Sequence, residues 1–396
     1  MLRAYKTEIN PTKEQKQIIH RTIGTCRYVY NLFLSHNKSL YEQKKVFING
    51  MDFSKWLNND CIKQDPTKSW IKEVSAKSVK QSIMNAHTAF MRFFKKQSDF
   101  PRYKKKSQNN VKMYFVKNDI KHIIHCERHR IKIPTLDWVQ IKEKAYLPTN
   151  AIIRSGSVSM KAGRYYVSVL VDIPIIPITP LKNYKQEILS EGLGIDLGLK
   201  DFATISNGNI KENINKTKAT RKAEKKLKRE QRKLSRKYES LKKQNKKDER
   251  RATRQTKNIQ EQIVKVQKIH QRLDNIRTNY INQTVNELVK TKPSHITIED
   301  LNVQGMIKNR NLSRSIASQK FYEFKIKLKN KCKEQDIELR IVDRFYPSSK
   351  TCHKCKNIKS DLKLSDRIFI CKCGYKADRD YNASLNLRDA EVYKIA

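Results

Sequence analysis

The chain has 396 residues, and Lys+Arg at 85 against Asp+Glu at 39 gives a formal net charge of +46. A compact body with that charge repels itself unless a polyanion neutralises it, which excludes an ordinary small-molecule enzyme and points to nucleic acid. The rival, a membrane surface, finds no support: there is no run of 18 or more apolar residues, no lipidation signal and no secretory leader after MLRAYKTEINP. A reducing, cytoplasmic compartment follows as the expectation, so clustered cysteines favour metal over disulfide.

In chain order, LRAYKTEIN reads as a strand ended by Pro11. Thr12 opens a helix with Gln15 placed for a capping box. Ile19, Ile23, Cys26, Tyr30 and Phe33 then fall on one helical face, and Val79, Ile83, Ala86, Phe90 and Phe93 repeat the pattern. This aromatic stripe reads as core. FPRYKKKS, residues 100–107, is a basic turn that suits either phosphate contact or solvent. From about 111 to 175 the period shifts towards two, and RYYVSVLVD after the turn residues Ala162-Gly163 is a strand of a β-barrel or sheet. KHIIHCERHR holds His122, His125, Cys126 and His129, whose spacing matches no closed metal site, so basic surface is favoured. PIIPITPLKN, residues 174–183, reads as a linker.

Beyond it, GIDLG, FATIS and the turn Asn207-Gly208 suggest strands of a buried sheet. Residues 215–290 are helical and basic, and the sevenfold spacings of Leu227, Leu234, Leu241 and of Val266, Leu273, Tyr280 predict an antiparallel hairpin of two long helices touching nucleic acid. HITIED is a strand, residues 314–335 are one amphipathic helix through Ile316, Phe321, Phe324 and Leu328, and IELRIVD is a strand.

Two constellations carry chemistry. Cys352 and Cys355, then Cys371 and Cys373, supply four thiolates for one tetrahedral zinc, with His353 in reserve. A fully ligated zinc leaves no place for water, so its role is to fold a segment too small for a core. Asp196 lies between glycines in an apolar strand, Glu299 ends another, and Asp380 precedes an apparent helix. Carboxylates there are costly to bury without a cation. Converging, they would hold one or two Mg²⁺ ions able to clamp the attacking water and the leaving oxygen of a phosphodiester. Asp300 and Asp378 are rivals that could equally serve as caps.

Five segments, in order, resemble motifs of the TnpB family, the transposon-encoded RNA-guided nucleases from which type V CRISPR effectors descend. GIDLGLKDFATISNG resembles its first RuvC-like motif, VQKIHQRLDNIRTNYINQTVNELV the helix before the second, and ITIEDL the second. RFYPSSKTCHKC resembles the approach to the zinc ribbon, and CGYKADRDYNASLNL its end with the third motif. The resemblance implies catalytic acids at Asp196, Glu299 and, by its x-Asn-Ala context, Asp380, with Asp378 a neighbour. It implies a multidomain α+β chain. Residues 1–10 and 109–180 would form a β-barrel wedge, and 11–108 a helical recognition lobe. Residues 190–345 and 375–396 would form an RNase H-like RuvC nuclease, with a zinc ribbon inserted at 346–374. It implies guide RNA from the transposon end and target double-stranded DNA as partners, cut beside a short adjacent motif at a single site, in a prokaryotic nucleoid. The second cysteine pair is C-x-C where the family has C-x-x-C, and Lys356 stands where glycine is common. The other readings are a guided DNA binder that does not cut, a guide-free resolvase-like nuclease and a basic architectural protein. The last has no use for carboxylates in apolar strands.

Overall fold

The computed structural model describes residues 2–106, 111–116, 124–149, 152–172, 191–247, 256–363 and 365–396. His122 and the proline-rich stretch 174–183 lie outside them. The chain divides into two compact units, Met1–Thr179 and Pro180–Ala396.

In the first unit, strand β1 (Leu2–Asn10) leads into helix α1 (Lys13–Lys44). Thr12 caps α1 as expected: its hydroxyl accepts from the Gln15 amide, and the Gln15 side chain accepts from the Thr12 amide. Short helices α2 (Gly50–Trp56) and α3 (Ile62–Gln64) follow, then α4 (Ala76–Phe94). The expected apolar faces of α1 and α4 are core except at Phe93, which is half-buried against Phe100: Phe33 meets Phe53 edge-on with ring centroids 4.9 Å apart, and Ile83, Ala86 and Phe90 close the cluster. In the basic turn, Phe100 and Tyr103 are exposed, while the Lys104 backbone is tied to the Asn31 side chain by two hydrogen bonds.

Five more strands follow: β2 (Met113–Val116), β3 (Arg130–Ile133), β4 (Asp137–Ile141), β5 (Ile152–Lys161) and β6 (Arg164–Asp172). They join β1 in an antiparallel sheet ordered β2-β5-β6-β1-β4-β3. Val167, Val169 and Val171 point into its core as the alternation predicts, and Ile19 and Ile23 of α1 pack there too. Ala162 (φ 53) and Gly163 (φ 73) make the hairpin turn, where two positive φ values match the twist of the strands. His125 and His129 are exposed while Cys126 is buried, and among the described residues none joins a metal-ligating group.

The second unit is built on strands β7 (Leu193–Leu197), β8 (Asp201–Ile205) and β9 (Ile210–Glu212), with Gly208 at φ 86 turning β8 into β9. Helices α5 (Lys218–Lys247) and α6 (Lys257–Lys290) are antiparallel, since Glu224 pairs with Arg277 and Glu230 with Gln262. Leu227, Val266 and Leu273 fill their seam. Lys218, Arg221, Lys222, Lys225, Lys228, Arg229 and Arg232 line one surface of α5, a face suited to phosphates.

Strand β10 (His295–Glu299), helices α7 (Val303–Ile307), α8 (Ser313–Gln319) and α9 (Phe321–Glu334), and strand β11 (Glu338–Val342) come next. The single helix expected over 314–335 is therefore two. Lys320 breaks it at φ 58, held there by ion pairs to Asp274 (2.7 Å) and Glu323 (2.6 Å). Its apolar face survives the break, with Ile316, Phe321, Phe324 and Leu328 all buried. A small hairpin, β12 (Ile368–Ile370) and β13 (Lys376–Asp378), precedes α10 (Arg379–Arg388) and β14 (Lys394–Ile395).

The large sheet has the order β14-β11-β10-β7-β8-β9, with β7, β10 and β11 mutually parallel. Leu193, Ile195, Ile296 and Ile298 face α6 and α9. The alternate positions, Gly192, Gly194 and Asp196, face α10. A Cβ on Gly194 would lie 1.9 Å from the Ser384 carbonyl oxygen and 2.4 Å from the Arg388 amide, so only glycine admits the helix this close. Gly194→Ala is expected to push α10 off the sheet and lower the melting temperature by roughly 5 °C or more, read by calorimetry.

Candidate active site and metal centre

Asp196 and Glu299 sit near the carboxyl ends of neighbouring parallel strands. Ile195 pairs with Ile298, so the next residues, Asp196 and Glu299, are level and share a face. That face is the one α10 covers, and Asp380 is in the first turn of α10. Three acids separated by up to 184 positions in sequence thus come to one end of one sheet face, at the strand termini where open α/β sheets bind ligands.

Their electrostatics reflect the crowding. Burial pushes the Asp196 carboxyl up to about 7, reinforced by the negative charges of Asp380 and then Glu299. Glu299 is also pushed up to about 7, by burial first and Asp300 second. Such a donor set fits a hard divalent cation, whose charge reverses both effects. The acids do not crowd as tightly as thiols: among the described residues, the four cysteines are the only group of three or more ligating side chains within 4.8 Å of one another. Because Asp196 carries a folded-state pKa above its unfolded value of 3.8, it favours folding less as pH rises towards about 7. Metal-free Asp196→Asn is therefore expected to be more stable than the parent by roughly 2 kcal/mol or more at pH 7.5, with the gap narrowing as pH falls from about 7 towards about 4, in parallel denaturant titrations.

The two rival acids have other work. Consecutive strand residues point to opposite faces, so Asp300 turns from Glu299 towards Lys325 (2.7 Å) and Arg344 (3.3 Å). The Lys325 hydrogen bond is the main reason its carboxyl sits below the usual range. Asp378 is the N-cap of α10, accepting from the Asp380 amide (2.9 Å) and the Tyr381 amide (3.1 Å). Asp378→Ala is expected to cost about 1 kcal/mol of stability, the usual loss of a cap, in thermal melts. Arg379, beside Asp380 at 3.3 Å, is a cation at the site that sequence reading passed over.

The cysteines form the second centre. Cys352 and Cys373 sulfurs lie 3.7 Å apart, and Cys355 and Cys371 3.5 Å apart. Tetrahedral zinc with bonds of about 2.3 Å needs sulfur separations of about 3.8 Å, so the cluster fits a structural zinc site. His353 is outside the cluster, its Nδ1 being 3.6 Å from Asp389. Both departures noted in the sequence are accommodated. The C-x-C pair still brings both sulfurs in, and Lys356 adopts φ 61, the left-handed backbone that glycine elsewhere supplies more easily.

What joins the centres is a pair of asparagines one helical turn apart on α10. The fully buried Asn382 donates to the Thr351 carbonyl (2.8 Å) and accepts from the His353 amide (3.1 Å). Asn386 donates to the carbonyls of Ser348 (2.8 Å) and Thr351 (2.7 Å). Both grip the backbone leading into Cys352.

Comparison with known proteins places this architecture. Residues 176–310 match the family model described as a probable transposase, 321–387 the Cas12f1-like TNB domain, and 1–45 a helix-turn-helix domain. The last span is here strand β1 and helix α1. A protein of Streptomyces pristinaespiralis named as a candidate RNA-guided DNA endonuclease is 29% identical over 97% of this chain and 88% of its own length. Its counterpart InsQ of Escherichia coli K12 is 28% identical over 98% of this chain and 91% of its own. A TnpB-like protein of Acanthamoeba polyphaga mimivirus is 25% identical over 96% of this chain and 72% of its own. Over nearly its whole length the chain is thus similar to proteins named as RNA-guided DNA endonucleases and as TnpB-like proteins. A cryo-EM structure of a Cas12f1–sgRNA–target DNA complex shares its fold, with a TM-score of 0.57 at 14% identity, covering 100% of this chain and 99% of that one. No helix among the described residues is long and apolar enough to cross a membrane.

Proposed function

We propose that this chain is an RNA-guided DNA endonuclease that cuts double-stranded DNA beside a short adjacent motif, by Mg²⁺-dependent phosphodiester hydrolysis at a single RuvC-like site. The observation that carries the reading is the level placement of Asp196 and Glu299 on parallel strands under the Asp380 turn of α10. Asp196, Glu299 and Asp380 would hold the ions, which when bound activate water and stabilise the leaving oxygen. The chain's own part is to keep the three carboxylates on one face, to seat α10 against the sheet through the Gly194 contact, and to keep Asp300 occupied by Lys325 and Arg344. The products would carry 5′-phosphate and 3′-hydroxyl ends. Cys352, Cys355, Cys371 and Cys373 would hold one zinc as a ribbon over 346–374. The helical stretch 11–108 would act as the recognition lobe, and the β-rich pieces 1–10 and 109–180 as the wedge.

Guide RNA from the transposon end would read sequence by pairing, with the basic surface holding the heteroduplex by its shape. The relatives named as candidate RNA-guided DNA endonucleases support this choice over an unguided nuclease. Purification followed by sequencing of bound RNA tests it. A defined RNA whose removal by RNase stops plasmid cutting in Mg²⁺ is the expected result. Undiminished cutting without RNA would overturn the guided model, and no cutting by the intact complex would overturn the nuclease.

A further inference from the structure

Three carboxylates brought to one place repel one another, and the direction in which each presents its oxygens has to be fixed by a partner. For Asp380 that partner is Arg379. Arg379 Nη2 and Nε donate to Asp380 Oδ1 at 3.3 and 3.4 Å, so two arms of the guanidinium end on the same oxygen. The third arm, Nη1, donates to the Lys363 carbonyl (3.5 Å), and the Arg379 amide donates to the Arg367 carbonyl (2.8 Å). Side chain and backbone of Arg379 thus both hold the segment between the cysteine pairs. The side chain is 14% exposed, against 88% for Arg102 on the open surface, so the guanidinium is built into the site.

The pairing is not a by-product of the helix. Consecutive helical residues point about 100° apart and do not face one another. Arg379 therefore folds back over the first turn of α10 to meet Asp380, and the Lys363 carbonyl holds it there. Its bonds to Asp380 are longer than the about 2.8 Å of a full charge-assisted bond, so the carboxylate is steered without being saturated. The charge reaches further: burial, then Asp380 and Glu299, push the Asp196 carboxyl up, and Arg379 works against them. We infer that Arg379 is a positioning residue for the metal site: anchored on the ribbon, it holds Asp380 by one oxygen and leaves the other to the cation held with Asp196 and Glu299. Arginine suits this task where lysine does not, because only the planar fork holds a carboxylate oxygen and a carbonyl at once. The inference rests on the proposed nuclease reading and names the side chain through which the ribbon bears directly on a metal ligand.

The direction of one measured change decides the matter. Losing a group that orients a metal ligand weakens metal binding, commonly by about 10–100-fold, whereas losing a mere neighbouring positive charge strengthens it. Mn²⁺ serves as the probe, its binding to the full-length chain being read by electron paramagnetic resonance with Asp196→Ala as the blank. Arg379→Gln should weaken this binding roughly 10-fold or more, and Arg379→Lys, which keeps the charge and loses the fork, nearly as much. In the RNA-loaded complex both variants should need correspondingly more Mg²⁺ for half-maximal cutting, with KM for DNA unchanged. Zinc content and melting temperature are measured alongside, and if Arg379→Gln loses its zinc the comparison is made on Arg379→Lys. Unchanged or tighter Mn²⁺ binding in both variants would overturn the positioning role. A parent-like Arg379→Lys beside a weakened Arg379→Gln would reduce the role to charge and overturn the clamp. A parent complex that binds Mn²⁺ but cuts nothing would overturn the nuclease reading alone, with the Mn²⁺ comparison still deciding Arg379.

Discussion

Asp196→Ala is expected to abolish strand cleavage by at least about 10³-fold while leaving bound RNA and DNA affinity intact. A metal acting as Lewis acid is worth several kcal/mol of barrier, and each 1.36 kcal/mol is about tenfold in rate. Asp196 is the central member of the set, since its carboxyl feels both Asp380 and Glu299. Its removal should therefore scatter the ions more than loss of an outer acid would. Asp380→Ala should behave alike, and Asp378→Ala should keep cutting within a few-fold, because Asp378 only caps the helix. Single-turnover cleavage of labelled plasmid measures all three. A dead Asp378→Ala beside an active Asp380→Ala would exchange the two roles.

Removing the zinc, by chelation or by Cys352→Ser, is expected to loosen residues 346–374 and then to slow cutting by about 10–100-fold, the usual effect of losing the groups that orient a metal ligand. The segment has little else to fold it. Beyond the hairpin of β12 and β13 its buried side chains are few, with Phe369 and Cys352 at 0% exposure. Apparent binding free energies of structural zinc run to about 10–16 kcal/mol, so the metal would carry most of its stability. The link to the acids is specific. Asn382 and Asn386 take their partners from Ser348, Thr351 and His353. If that backbone melts, two buried amides lose their partners two and six residues along α10 from Asp380, and the helix loses its anchor. RNA binding depends on the basic surface as a whole and should persist. Limited proteolysis, cleavage rate and RNA retention should separate in that order. Equal loss of cutting and RNA binding would show general unfolding instead.

Local rules made much of the chain legible. Thr12 and Gln15 set the start of α1 because a capping box is a matter of spacing, and Ala162-Gly163 set a hairpin because few residues accept positive φ. The heptads of α5 and α6 announced the seam at Leu227, Leu234, Val266 and Leu273, though Tyr280 packs on Phe202 of the sheet instead, and the cysteine spacing announced the four-thiol cluster. The break at Lys320 was not legible, because an amphipathic pattern runs through it. Asp274, brought from another helix, joins Glu323 in holding Lys320 there. Of the acids, each candidate was visible, but the rivals could not be separated by physics from the sequence. The pleat turns Asp300 away from Glu299, and the cap geometry takes up Asp378. The sequence by itself determined which residues could do chemistry, since residue type and spacing fix ligand strength. The tertiary structure decided which of them stand together, because register between β7 and β10 and the close seat of α10 on Gly194 are long-range facts that no local pattern encodes.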